Sequence, residues 1–160
     1  MKNRAILRKC LTACQEIETV AAQIYHFHAD RFAEARQISL LWRQTAHEEE
    51  YHACQVLLAR RLADYFSCPE LDVGQIESTR NLCRALYETI KKSPPSLEEA
   101  FLTAIDLEEM LAQLHMENAM QFEQQGGIYL FRGLMMQDFR HVEKLESNLR
   151  KLPSRRLRAA

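Results

Sequence analysis

Two acid–histidine pairs occur in this chain at one spacing: Glu49-Glu50-Tyr51-His52 and Asp138-Phe139-Arg140-His141 each place an acid three residues before a histidine. On a helix that spacing sets both side chains on one face, one turn apart, where they can grip the same ion. Two further acids stand in matched segments, Glu16-Ile17-Glu18 and Asp106-Leu107-Glu108. Glu18 to Glu108 is 90 positions, while Glu49 to Asp138 and His52 to His141 are both 89. A single such pair would most simply be a solvated helix face. Two copies in one repeat register, with two matched glutamates, read instead as a doubled helical hairpin. Its halves present Glu18, Glu49, His52, Glu108, Asp138 and His141, a ligand set suited to two metal ions.

Those six residues must be positioned by helices. Apolar residues at alternating three and four spacing mark four long stripes. The first runs through Leu7, Leu11, Cys14, Glu18, Ala21, Tyr25 and His28, and the second through Ile38, Trp42, Thr45, Glu49, His52, Val56, Ala59 and Ala63. The third includes Leu97, Phe101, Ala104, Glu108, Leu111, His115 and Phe122, and the fourth Phe131, Leu134, Asp138, His141, Leu145 and Leu152. Every acid or histidine of the candidate set falls inside a stripe, so all are expected to point inward. Four carboxylates would then bring a charge of −4 into an apolar core, and no inward Lys or Arg shares the stripes. Two divalent cations cancel that charge; without them each carboxylate faces a desolvation cost of several kcal/mol. Oxygen ligands with imidazole suit iron or manganese, with zinc as an opportunistic occupant.

Composition agrees with an all-helical protein. The 160 residues suffice for one domain, with apolar residues at 47% and charged residues at 27%. Only four glycines and four prolines are present, clustered at Pro69 and Gly74, Pro94-Pro95, Gly126-Gly127 with Gly133, and Pro153. Sheets need more frequent turns. A net charge of −1 gives no case for nucleic acid or an anionic membrane, and no apolar run has membrane-spanning length. The N-terminus lacks a continuous signal-peptide core, so the expected location is cytoplasmic. Five cysteines without CxxC spacing argue against a disulfide framework or a thiolate metal site. Cys10, Cys14, Cys54 and Cys83 read as small apolar helix residues.

Punctuation sets the boundaries. The first two helices form a hairpin over about 4–64, breaking between Asp30 and Ala35. A crossover follows over about 65–96, with an extra helix around Gln75 to Lys92. Ser96 and Glu99 form a capping box that starts the second hairpin, about 97–152. Gly126-Gly127 should end its first helix and Pro153 its second, before a basic tail at 153–160. Two hairpins joined by one long crossover are the ferritin-like form of the four-helix bundle, and the doubled Glu-x-x-His with two added Glu is the ligand plan of its di-iron and di-manganese members.

With these residues in view, the chain to about Leu152 resembles the ferritin-like superfamily, most closely its rubrerythrin-like branch. Trp42 to Ala53, W-R-Q-T-A-H-E-E-E-Y-H-A, is similar to the branch's second-helix signature. Ser96-Leu97-Glu98-Glu99-Ala100, leading into Ile105-Asp106-Leu107-Glu108, resembles its third-helix entry. The resemblance implies two iron ions, with Glu49 and Asp138 bridging, Glu18 and Glu108 as terminal ligands, and His52 and His141 each on one metal. It implies that Tyr25 hydrogen-bonds a ligating carboxylate. Three departures stand out: no rubredoxin domain with paired CxxC motifs, Leu111 where the family carries an extra Glu, and Asp138 in place of Glu.

The activity so implied is reduction of hydrogen peroxide or dioxygen by a non-haem di-iron oxidoreductase. Electrons would come from a separate donor such as a rubredoxin or flavoprotein, and the family points to a homo-oligomer, a dimer. The alternatives are a ferroxidase or iron-handling protein, and a non-catalytic metal-binding bundle. Glu48 and Gln137, just before the paired acids, are the candidate acceptors for the free N–H of the ligating imidazoles. His115, seven residues after Glu108, is a partner of the ligands, a proton relay or a core histidine. His26, His28 and His47 read as surface or structural residues.

Overall fold

The computed structural model describes residues 2–66 and 71–152. Pro69, and Pro153 with the basic tail, lie outside the described residues. Five α-helices and a single 3-10 turn make up the described chain, with no strand among these residues: α1 (Lys2–Arg31), α2 (Arg36–Arg61), the turn Ala63–Tyr65, α3 (Val73–Lys92), α4 (Leu97–Gln121) and α5 (Gln125–Leu149). None of these helices is long and apolar enough to cross a membrane.

Side-chain contacts fix how the helices run. Between α1 and α2, Ser39 donates to the Ala29 carbonyl, His52 approaches Glu18 and Arg60 reaches Thr12, and just past α2 Asp64 of the 3-10 turn pairs with Arg8. Numbers fall on one helix as they rise on the other, so the pair is antiparallel. Across α4 and α5 the partners are Phe122 with Phe131, His115 with Asp138, and Glu108 with His141, again antiparallel. Between the two hairpins, α1 and α4 match Tyr25 with Glu108, Glu18 with His115 and Cys14 with Asn118. The helix α3 lies along α1, strapped by Arg84–Glu16 at 2.8 Å and Lys9–Glu77 at 2.7 Å, and touches α4 through a Gln75–Glu117 hydrogen bond.

Local chemistry explains most of the ends. The Ser96 side chain accepts from the Glu99 amide while Glu99 Oε2 accepts from the Ser96 amide, completing the expected capping box. Asp72 caps α3 by accepting from the Gln75 amide at 2.9 Å. The link between α1 and α2 falls at Phe32–Ala35, where expected.

The turn between α4 and α5 departs from expectation. Gly126 and Gly127 do not end α4; they belong to the first turn of α5, and no glycine has a positive φ. The chain leaves α4 at Phe122, which turns extended at φ −83 and ψ 135. Its ring then folds against Phe131, with centroids 5.3 Å apart, and against Phe66 at 5.8 Å. Gly127 is needed because a Cβ there would sit 2.1 Å from Phe122 Cδ1. Likewise α5 ends at Leu149, ahead of Pro153.

The core gathers along the four long helices. Trp42 stacks on Tyr25 at 5.8 Å and meets Phe101 at 4.8 Å, closing one end of the central cluster. Cys10, Cys14 and Cys83 are buried within this core as expected, whereas Cys54 is exposed.

Candidate metal centre

All six sequence-selected residues converge at the centre of the molecule. Glu18, Glu49, Glu108 and Asp138 are 0% exposed, and His52 and His141 are 2% exposed. Each lies on the inward stripe of its helix: Glu18 on α1, Glu49 and His52 on α2, Glu108 on α4, Asp138 and His141 on α5.

Their atoms fall into two groups. Glu18, Glu49 and His52 bring ligand atoms within 4.8 Å of one another, and so do Glu49, Glu108, Asp138 and His141. Glu49 belongs to both. Its Oε2 lies 3.0 Å from His52 Nδ1 and its Oε1 lies 2.9 Å from His141 Nδ1, so one carboxylate faces two imidazoles with its two oxygens. Those rings stand 5.9 Å apart at centroid, nearly parallel. Asp138 joins only the second group.

His115 occupies the space between Asp138 and Glu18. It is 0% exposed, with Nδ1 2.7 Å from Asp138 Oδ2 and Nε2 2.9 Å from Glu18 Oε1. The Asp138 contact is a hydrogen bond; the Glu18 contact is within ion-pair distance but not aligned as one. Of the three roles open to it in the sequence, His115 therefore takes that of a direct partner to two candidate ligands. Only the register of α4 against α1 and α5 reveals this.

Outer contacts orient the set. The Tyr25 hydroxyl donates to Glu108 Oε1, and His141 Nε2 lies 2.7 Å from Glu48 Oε2. Glu48 thus serves His141 as expected, and Lys144 sits 3.6 Å from the same Glu48 oxygen. Gln137 lines a surface groove together with Gln44, His47, Glu48, Tyr51 and His52.

Electrostatics follow from so many acids in so little space. Burial, then the neighbouring Glu49 charge, pushes the Glu108 carboxyl up to about 8. Glu49 is also raised, first by burial. For Glu18 burial is outweighed by His115 and His52, which hold it well below the carboxylate range. Burial alone would lower the imidazoles. Instead Glu18 and Glu49 raise His52 to about 10, and Glu108, Glu48 and Glu49 raise His141 to about 12. Asp138 and Glu18 likewise lift His115 well above the ordinary range. Without a metal, the imidazoles are thus the counter-cations of the acids.

Protons alone leave the cluster incompletely satisfied. Both oxygens of Glu18, Glu49 Oε1 and Asp138 Oδ1 are buried without a hydrogen-bond partner, an arrangement costly in an apolar interior. Carboxylate oxygens with imidazole nitrogens form a donor set for a divalent ion, and the residues present fit such an ion. The buried Glu, Asp and His cluster could hold metal. No protein-family model matches the chain, and no curated protein or solved structure matches it either.

Proposed function

We propose that this chain is a ferritin-like, rubrerythrin-like di-iron oxidoreductase that reduces hydrogen peroxide or dioxygen with electrons from a separate donor protein. The observation that carries the reading is Glu49, whose two oxygens face His52 and His141 at 3.0 and 2.9 Å. A carboxylate so shared is what two neighbouring ions require, and the oxygen-rich donor set favours iron or manganese over softer ions. Glu18 and His52 would hold one ion, Glu108, Asp138 and His141 the other, with Glu49 between. Two ferrous ions would supply the two electrons that, with two protons, convert hydrogen peroxide to two waters.

The chain's own residues prepare that chemistry. The groove lined by Gln44, His47, Glu48, Tyr51, His52 and Gln137, ≈ 500 Å³ in volume, opens beside His52 and suits a small oxidant. Glu48 holds His141 through Nε2 and so aims Nδ1 at the carboxylates. Burial, then the Glu108 charge, raises the Tyr25 hydroxyl well above an ordinary phenol, so its proton stays on Tyr25 and in the bond to Glu108. Trp42 and Phe101 exclude water from that end.

The test is anaerobic loading with Fe(II), iron counting, and stopped-flow mixing with peroxide. Two irons per chain, one peroxide consumed per two irons oxidised, and repeated turnover only with an added reductant are expected. Continued turnover on excess Fe(II) without a reductant would replace this reading with a ferroxidase. A loaded protein inert to peroxide and dioxygen would leave a metal-stabilised bundle.

A further inference from the structure

A second convergent set lies on the surface of the α1–α2 hairpin. His26 Nε2 is 2.9 Å from Glu50 Oε1, and His47 Nδ1 is 2.9 Å from Glu50 Oε2. The two rings meet edge-on, centroids 5.5 Å apart at 79°. One ligand atom from each of the three residues falls within 4.8 Å of the others. Their side chains remain 37%, 68% and 51% exposed for His26, His47 and Glu50 respectively. None of them is among the six candidate ligands of the buried centre, although His47 also lines the groove beside His52.

We propose that His26, His47 and Glu50 form a second divalent-cation site, one that takes an imidazole-preferring ion such as zinc or copper(II). His47 and Glu50 stand three apart on α2 and so share a face, while His26 reaches them from α1. Donors held about 2.0–2.2 Å from a tetrahedral ion lie roughly 3.3–3.6 Å from one another. The two 2.9 Å contacts run to different oxygens of Glu50, and one donor atom from each residue falls within 4.8 Å of the other two, so closing on one ion asks for side-chain rotation and no helix movement. Two imidazoles with one carboxylate form a nitrogen-rich set, in contrast to the four carboxylates of the buried centre, and such sets rank copper and zinc above iron and manganese. The exposure of all three side chains leaves the remaining coordination positions to water. Both sites draw on adjoining turns of α2: Glu49 and His52 face in, His47 and Glu50 face out.

The measurement is zinc titration of the full chain, with bound zinc counted after dialysis and affinities read by calorimetry. The unaltered chain should bind one zinc equivalent more than the double variant His26→Ala, His47→Ala. Glu50→Gln should weaken that equivalent at least tenfold. The substituted side chains are exposed and far-ultraviolet circular dichroism checks that the helices persist. The ring ¹⁵N resonances of His26 and His47 in the unaltered chain read this site directly, whatever the buried centre holds. They should shift with the extra equivalent, and they should do so even if the buried cluster takes no iron. Unshifted rings, or equal stoichiometry and affinity in all three proteins, would overturn the assignment.

Discussion

Asp138 and His115 together fill the space between α5 and Glu18. Asp138 reaches Glu49, Glu108 and His141, and His115 fills the distance from Asp138 Oδ2 to Glu18 Oε1 with contacts of 2.7 and 2.9 Å. Asp138→Glu therefore has no slack to extend into. It should cost about 1–3 kcal/mol as an overpacked core residue. His115→Ala should cost about 3–5 kcal/mol in the metal-free protein, because it strips the counter-cation from two buried acids. The double variant should cost less than the two single costs together, by about 1 kcal/mol or more, since the new methylene occupies the vacated ring position. Urea unfolding of the four proteins tests this, and additivity would show that the two side chains do not compete for the space. His28 makes a separate case. It is buried against Trp42 and Phe32 at 5.1 and 6.2 Å, with both ring nitrogens unpaired, and burial lowers its pKa to about 4. A base depressed by folding is protonated first in the unfolded chain. Stability is thus unaffected above the unfolded pKa near 6.5, is lost as pH falls below it, and levels off near 4, for a ceiling of about 3 kcal/mol. Comparing unfolding midpoints of the chain and His28→Phe at pH 7 and 4.5 isolates the effect; parallel pH responses would rule it out.

At the scale of the elements, the turn from α4 to α5 depends on a single absent methyl group. Alanine normally gains about 1 kcal/mol over glycine inside a helix. At Gly127 the added Cβ would come 2.1 Å from the Phe122 ring, which is pinned by Phe131 and Phe66. Gly127→Ala should therefore destabilise by about 1–3 kcal/mol despite the better propensity, while Gly133→Ala, whose Cβ meets nothing within 4 Å, should stabilise slightly. Thermal melts of the two variants moving in the same direction would refute the packing account. The same turn shows what the sequence could and could not disclose. Paired glycines are an ordinary helix stop, and only the tertiary position of Phe122 turns them into a helix start. The capping box at Ser96, the Phe32–Ala35 break and the helix over 73–92 were legible because local hydrogen bonding and apolar periodicity decide them. The six buried acids and histidines were legible because the repeat doubles the signal. His115 facing Glu18, and His26 facing Glu50, were not. Both depend on the register between different helices, which no local pattern encodes.

Across the whole molecule the helices pack extensively within each hairpin, α1 along α2 and α4 along α5, while α2 and α5 approach over a short stretch only. Much of what ties the halves together is the central cluster: Tyr25 to Glu108, Glu18 to His115, Glu49 and Glu48 to His141. A metal bound there would draw ligands from α1, α2, α4 and α5 at once, so its binding energy would act on the junction between hairpins rather than on any one helix. At a free concentration a thousandfold above Kd, one such ion adds about 4 kcal/mol. For a chain of this size each kcal/mol moves Tm by roughly 2–4 °C. Removing one ion should accordingly lower Tm by about 10 °C and removing both by about twice that, and restoring Fe(II) should recover it. The imidazoles, raised by the acids around them, neutralise part of the acid charge when no metal is bound, so the loss should be a shift and not a collapse. Hydrogen exchange should locate it: amides of α4 and α5 near Glu108 and Asp138 and of α1 and α2 near Glu18 and Glu49 should speed up together, while the Phe32–Ala35 and Phe122–Gln125 turns change little. An unchanged Tm on chelation, with iron shown to have been bound, would mean that the hairpins are held together by their apolar stripes alone.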